Sequence, residues 1–309
     1  KTVTLSKSFS PQMFLINSTG TVYKTNFFGC TNLEKMIIPE ENPFFVTDEF
    51  GAIYDKQKTI VYFFPPAADA TNYTVPATVK EIAHYAFAFY PGDSIVLPEG
   101  LEIIGNYAFY FNKFETIHIP ASVISIGSGV FTTEGSLTNA DGDYYRDLYT
   151  SKLQTVTFAE NSKLESLGGY AFYFATKLKS INLPDSVKSI GNAAFWHCES
   201  LTEFIVPAGV KEIVEGASNL STFGYLVKAN KIVFQEGLET IGASSFYYLG
   251  RDVDQDMTIV LPASLKSIGN YAFDYAYNVK EITFAPNGVL ESIGNYAFRA
   301  NKAESIILP

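Results

Sequence analysis

The stretch from Leu178 to Leu201, LKSINLPDSVKSIGNAAFWHCESL, decides how the whole chain is read. Its first part, Leu178 to Pro184, alternates apolar and polar residues and predicts a strand, with Ile181 and Leu183 inward and Ser180 and Asn182 outward. Pro184 ends the strand because it has no N–H for a ladder. A second short strand is expected at Val187–Ile190, and the phrase Ile190-Gly191-Asn192-Ala193-Ala194-Phe195 follows it. That phrase recurs as Ile82 to Phe87, Ile104 to Phe109 and Ile126 to Phe131, with further copies ending at Phe172, Phe246, Phe273 and Phe298. A degenerate copy runs from Ile213 to Ser218, and a ragged first one ends at Phe28. The strand phrase has its own relatives at Leu33–Pro39, Phe114–Pro120, Leu201–Pro207 and Ala303–Pro309.

Successive anchor phenylalanines are spaced by 22 residues (Phe87 to Phe109 and Phe109 to Phe131), 23 (Phe172 to Phe195) and 25 (Phe273 to Phe298). A period in the twenties marks a solenoid. One such coil cannot bury its apolar side alone, whereas coils stacked about 4.8 Å apart pair strand with strand and close a continuous interior. The Ala-Phe pairs are expected to fill that interior as a phenylalanine stack, and ten coils would span roughly 50 Å. The expected fold is therefore mainly β: a leucine-rich-repeat solenoid with two short strands per ~22–25-residue coil, stacked into parallel sheets.

The combined unit, LxxIxLPxSVxSIGxxAFxxCxxL, resembles the BspA-like class of bacterial leucine-rich repeats over roughly residues 76–309, and more weakly over 20–39. The resemblance implies bacterial surface or secreted proteins, some of them adhesins that bind host matrix proteins. It carries over no binding residue. It leads to the expectation of a non-catalytic, adhesin-like module, extracellular or anchored at the cell surface, that presents an extended repeat surface to a host or extracellular protein. Glycan binding and a purely structural spacer are the alternatives, and a carbohydrate-active enzyme is furthest from the residues.

Composition agrees with a folded, non-nucleic-acid-binding chain. The 309 residues include 26 Phe and 20 Tyr with only 17% charged residues, which excludes disorder. A net charge of −10 argues against a phosphate-neutralising nucleic-acid partner. No apolar run approaches the ~18 residues of a membrane-spanning helix. The chain opens at Lys1 with no signal-peptide pattern, and that silence is no argument for a cytoplasmic address.

Catalytic and metal motifs are missing, and no cofactor is expected. There is no G-x-S-x-G, Gly-rich phosphate loop or H-E-x-x-H. His84 and His197 fall in turns near anchor phenylalanines and His118 faces outward on a strand. Asp252, Asp254 and Asp256, and the run Asn139-x-Asp141-Gly142-Asp143, lack the bidentate twelfth-position Glu of a calcium loop, and calcium binding no tighter than millimolar is expected. Cys30 and Cys198 lie several coils apart, too far for the ~7 Å reach of a disulfide, so both are expected as free, partly buried thiols.

Three parts are expected: residues 1–43 with the ragged first repeat, an inserted β-hairpin and linker over 44–75, and a solenoid over 76–309. The insertion reads as strands at Phe45–Thr47, Ile53–Tyr54 and Thr59–Phe64, with a turn at Asp55–Lys58. The solenoid is interrupted near 132–152, 219–228 and 249–256, and Pro309 falls mid-repeat, so the array is expected to continue or be capped by further residues.

Two surfaces could bind. Around each anchor Phe stand aromatic columns: Tyr85, Tyr107, Tyr170, Tyr271 and Tyr296 two residues before it, and Tyr110, Tyr173, Trp196 and Tyr247 just after it. These rings fill the coil or stack as ladders, unless one column stays exposed as a platform for sugars or protein. The other surface is the outward face of the first strands, which line the concave side of such arrays. Its central tract, Thr116, His118, Thr155, Thr157, Ser180 and Asn182, is polar and is the expected ligand-binding stretch.

Overall fold

Residues 178–201 form one coil whose geometry accounts for the rest. Ser180–Ile181 is the first strand and Ser189–Ile190 the second, with Ile181 and Ile190 buried. Between them the Val187 N–H donates to the Pro184 carbonyl at 3.0 Å, which makes the proline turn. Two tight turns follow, closed by Trp196 N–H to Ala193 O at 3.2 Å and Cys198 N–H to Phe195 O at 3.2 Å. Ala193 and His197 carry the reversal at φ 54° and 58°. The same two positions are left-handed in other coils and mostly hold rings: Tyr85 and Phe89, Tyr107 and Phe111, Tyr170 and Phe174, Tyr271 and Tyr275. Gly191 is needed for closeness, since a Cβ there would run into the backbone of Gly168 and Gly169 in the preceding coil.

The computed structural model describes residues 1–10, 27–133, 151–216 and 220–308. Neighbouring coils are joined by parallel strand pairs in several separate short sheets. First strands at Thr116–Ile119, Thr155–Phe158 and Ser180–Ile181 form one sheet, and Glu203–Val206 pairs with Lys231–Phe234 farther on. The sheet at Met257–Leu261, Val279–Phe284 and Ser305–Ile307 ends the series. Second strands run in parallel from Ile60–Phe63 through Glu81–Ile82, Ile103–Ile104, Ser125–Ile126 and Ser166–Leu167 to Ser189–Ile190. The turns pair as well: Tyr170 N–H donates to Asn192 O at 2.9 Å and Phe172 N–H to Ala194 O at 2.8 Å.

The interior is a ladder of phenylalanines. Phe64, Phe87, Phe109, Phe131, Phe172, Phe195, Phe223, Phe246, Phe273 and Phe298 stack in sequence, with centroids 5.0–5.7 Å apart and ring planes within 27°. Two rungs differ from the sequence reading. Phe28 is not one of them: it packs outside the turns, on Tyr85 at 5.1 Å and Phe89 at 5.5 Å, and Phe64 takes the first rung. The degenerate copy does not stop at Ser218 either, because Phe223, five residues later, supplies the ring that stacks on Phe195 at 5.4 Å. Extra residues after Ile213 push the anchor downstream without costing the coil its rung.

The strands read at 44–64 are present as Phe45–Thr47, Ile53–Asp55 and Ile60–Phe63, joined antiparallel, and the last of them continues parallel into the second-strand sheet. Asp48 fastens this insertion to the solenoid. Its Oδ1 accepts the Phe50 and Ala52 N–H groups at 3.0 and 2.9 Å. Its Oδ2 accepts the Tyr54 hydroxyl at 3.2 Å and the hydroxyl of Tyr73, a first-strand residue. Cys198 is fully buried, with its thiol donating to Phe172 O at 3.3 Å, whereas Cys30 is exposed rather than partly buried; neither forms a disulfide. Among the described residues no helix is long and apolar enough to cross a membrane.

Candidate functional site

Strand pairing brings five of the six sequence-selected residues into one tract, and Asn182 adjoins it. Thr116, Thr155 and Ser180 share one register row across three coils, and His118 and Thr157 share the next. Each side chain points outward because its neighbours Ile117, Val156 and Ile181 point into the core. Thr155 is half-buried and the other five are exposed. The His118 Nδ1 and Thr157 Oγ1 lie 2.9 Å apart, a hydrogen bond between neighbouring coils. Asn182 sits one residue beyond its strand and lines a shallow polar hollow of about 440 Å³ with Asn161, Ser162 and Asp185.

The tract has an apolar margin on the same face. Val96 and Val260 are 56% and 53% exposed, and Ile205 and Val233 pair in register as half-buried neighbours. Its charges are largely matched between coils: Lys231 to Glu203 at 3.2 Å and Lys280 to Asp256 at 3.0 Å. Such exposed pairs contribute little to stability. Chemically, the surface offers hydroxyls, an amide and an imidazole as donors and acceptors at strand spacing. The imidazole of His118 is positioned by the Thr157 hydroxyl of the neighbouring coil.

The turn edge carries most of the aromatic rings as ladders. Tyr85 stacks on Tyr107 at 4.9 Å and Tyr271 on Tyr296 at 5.2 Å. A second ladder runs Phe174, His197, Tyr225, Tyr248 and Tyr275 with centroids 4.2–5.1 Å apart. Packing therefore accounts for most rings, although Tyr296 remains 59% exposed. An ion pair on this edge was not foreseen from the sequence. Asp274, 1% exposed, receives Arg299 Nε at 2.9 Å and Nη2 at 2.6 Å, and the guanidinium lies over the Tyr271 and Tyr275 rings, each at 5.2 Å. Both residues directly follow a ladder phenylalanine, a position that aligning the repeats would have exposed.

The other polar groups noted in the sequence are dispersed. His84 Nδ1 accepts the Asn106 N–H at 2.7 Å, and His197 Nδ1 lies 2.7 Å from Glu199 Oε1. Asp252 pairs with Arg251 at 2.9 Å and Asp256 with Lys280, while Asn139, Asp141 and Asp143 lie outside the described residues. Among the described residues no group of three or more His, Cys, Asp or Glu could hold a metal ion.

Comparison with known proteins bears on this architecture. The model of the BspA type leucine-rich repeat region matches residues 60–142, 145–252 and 255–309 in six copies. A leucine-rich repeat protein from Eubacterium ventriosum superposes with a TM-score of 0.51 at 21% identity, over 100% of this chain and 60% of that one. The T. pallidum leucine-rich repeat protein gives a TM-score of 0.50 at 22% identity, over 70% of this chain and 90% of that one. A leucine-rich cell surface protein from Faecalibacterium prausnitzii is 20% identical over 79% of this chain and 52% of its own, with a TM-score of 0.47. The chain thus spans less than two thirds of the first and last of these. No curated protein matches it.

Proposed function

The chain belongs to the BspA-type leucine-rich-repeat family, and from that premise we propose that it is a non-catalytic, adhesin-like binding module, secreted or held at the cell surface, that presents its first-strand sheet to an extracellular protein. The observation that carries this reading is the tract of Thr116, Thr155 and Ser180 beside His118 and Thr157, held in register on three coils and reached by solvent. Together with Asn182 these are the proposed contact residues. Hydrogen-bonding groups fixed on strands lose little freedom on binding, and the exposed Val96 and Val260 supply apolar contact alongside. A net charge of −10 favours a partner with a basic surface, whose approach it would accelerate.

The test is a triple variant, His118→Ala with Thr157→Ala and Asn182→Ala, measured against immobilised extracellular matrix proteins. All three side chains are exposed, so the fold is expected to survive. Loss of about tenfold or more in affinity supports the reading. Unchanged affinity moves the interface elsewhere, and an absence of any partner combined with full function of the variant in cells supports a spacer instead.

A further inference from the structure

The aromatic turn edge is interrupted at one place. Two residues before each ladder phenylalanine stand Tyr170, then Ala193, Ser221 and Ser244 in three successive coils, then Tyr271. One residue after it stand Trp196, Gly224, Tyr247, Asp274 and Arg299. Where small residues replace rings, a cleft of about 740 Å³ opens, lined by Trp196, Tyr225, Ser244, Tyr247, Tyr271 and the Asp274–Arg299 pair. Trp196 lies across Gly224: a Cβ at that glycine would run into the indole and into Ser221 Oγ. That serine oxygen is buried and has no hydrogen-bond partner among the described residues.

We propose that this cleft is a glycan-binding site that seats a neutral pyranose against its tyrosine and tryptophan walls. The volume falls within the ~300–1,000 Å³ of small-ligand sites, which combine apolar walls with a few placed polar groups. Tyr225 has both faces covered in its ladder, but Tyr271 stacks on Tyr296 on one side and has no ring opposite its other side, where the preceding coil carries Ser244. That free face carries negative potential and attracts the polarised C–H bonds of a sugar face. Arg299 already neutralises Asp274, so the lining offers no free cation for a sulfate, phosphate or sialic acid carboxylate. Asp274 is buried under Arg299, whose side chain stays 43% exposed with N–H groups beyond the two it gives the carboxylate. The guanidinium can therefore donate to a sugar hydroxyl, while the Ser244 hydroxyl of the lining both donates and accepts. A proline-rich peptide would also fit against rings, but it brings carbonyl acceptors and few donors for the serine and tyrosine hydroxyl oxygens of the lining. The site lies on the turn edge and does not rest on the first-strand tract.

Trp196 is the sole tryptophan of the chain, so its fluorescence reports on the cleft directly. The experiment titrates the protein with neutral gluco-, manno-, galacto- and N-acetylglucosamine trisaccharides, with sialylated and sulfated glycans and a polyproline peptide run in parallel. A saturable emission change with at least one neutral glycan is expected. Ser244→Tyr restores the ring that other coils hold at the same left-handed position, so it fills the cleft without a foreign residue. It should weaken binding by about tenfold or more, as should Tyr271→Ala. Three results would overturn the proposal: no saturable change with any neutral glycan, a response only to the anionic glycans or the peptide, or glycan affinity untouched by Ser244→Tyr with unfolding profiles matched.

Discussion

His84 stands where later coils carry Asn106 and Asn270, whose side-chain oxygens accept the next coil's N–H at 2.8 and 2.7 Å. Its imidazole does the same for Asn106, and only the neutral ring has a lone pair to offer. Burial holds its pKa below the ordinary value of 6.5. Above that ordinary value folded and unfolded chains are both neutral at this site, and stability does not depend on pH through it. Below it the unfolded chain takes up a proton the folded one refuses, so stability falls until the folded pKa is passed. His84→Asn keeps an acceptor and removes the titration. Urea midpoints compared between about pH 7 and pH 5 should drop further for the native chain than for His84→Asn; equal drops would remove His84 from the account. The position of His84 in a turn was legible in the sequence, but its acceptor role was not. Left-handed tyrosines and phenylalanines were equally hidden, since that conformation costs about 1–2 kcal/mol and normally calls for glycine. Here stacking on the next coil's ring offsets the strain, which no single repeat reveals.

Among elements, the inserted strands were readable because their alternation and turn residues are local. Their fastening was not: Asp48 and Tyr73 lie 25 residues apart and meet only once the coils have stacked. Tyr54 and Tyr73 are both buried, and burial, with Asp48 adding, pushes their phenols well above the usual range, so both remain donors. The two hydroxyls also bond each other, so Asp48→Ala leaves one buried hydroxyl proton and two turn amides without their acceptor, and should cost about 2–4 kcal/mol by urea denaturation. Asp48→Asn, which keeps an acceptor, should lose less. If alanine proves as mild as asparagine, the aspartate is not what fastens the insertion.

For the molecule as a whole, a stack in which each coil touches only its neighbours has a stability close to a sum of nearest-neighbour terms. Phe172 is fully buried between Phe131 and Phe195, so Phe172→Ala should cost about 3–5 kcal/mol. Phe298, half-buried and stacked on Phe273, should cost well under that when cut to alanine, and equal losses measured by denaturant would argue for an all-or-none core instead. The solenoid was legible in the 22-residue spacing, and the polar tract in the alternation of its strands. The cleft was not, because ten residues rather than five separate Ile213 from Phe223, and the misplaced anchor hid the alignment of Ser221 and Gly224 with their neighbours. Phe131 and Phe172 meet at 5.2 Å although 41 residues of sequence separate them, as closely as rings only 22 or 23 residues apart. A seam that closes so tightly around so long a detour decouples upkeep from novelty: evolution, or an engineer, can exchange what is spliced there while the hydrophobic spine goes on being inherited unchanged.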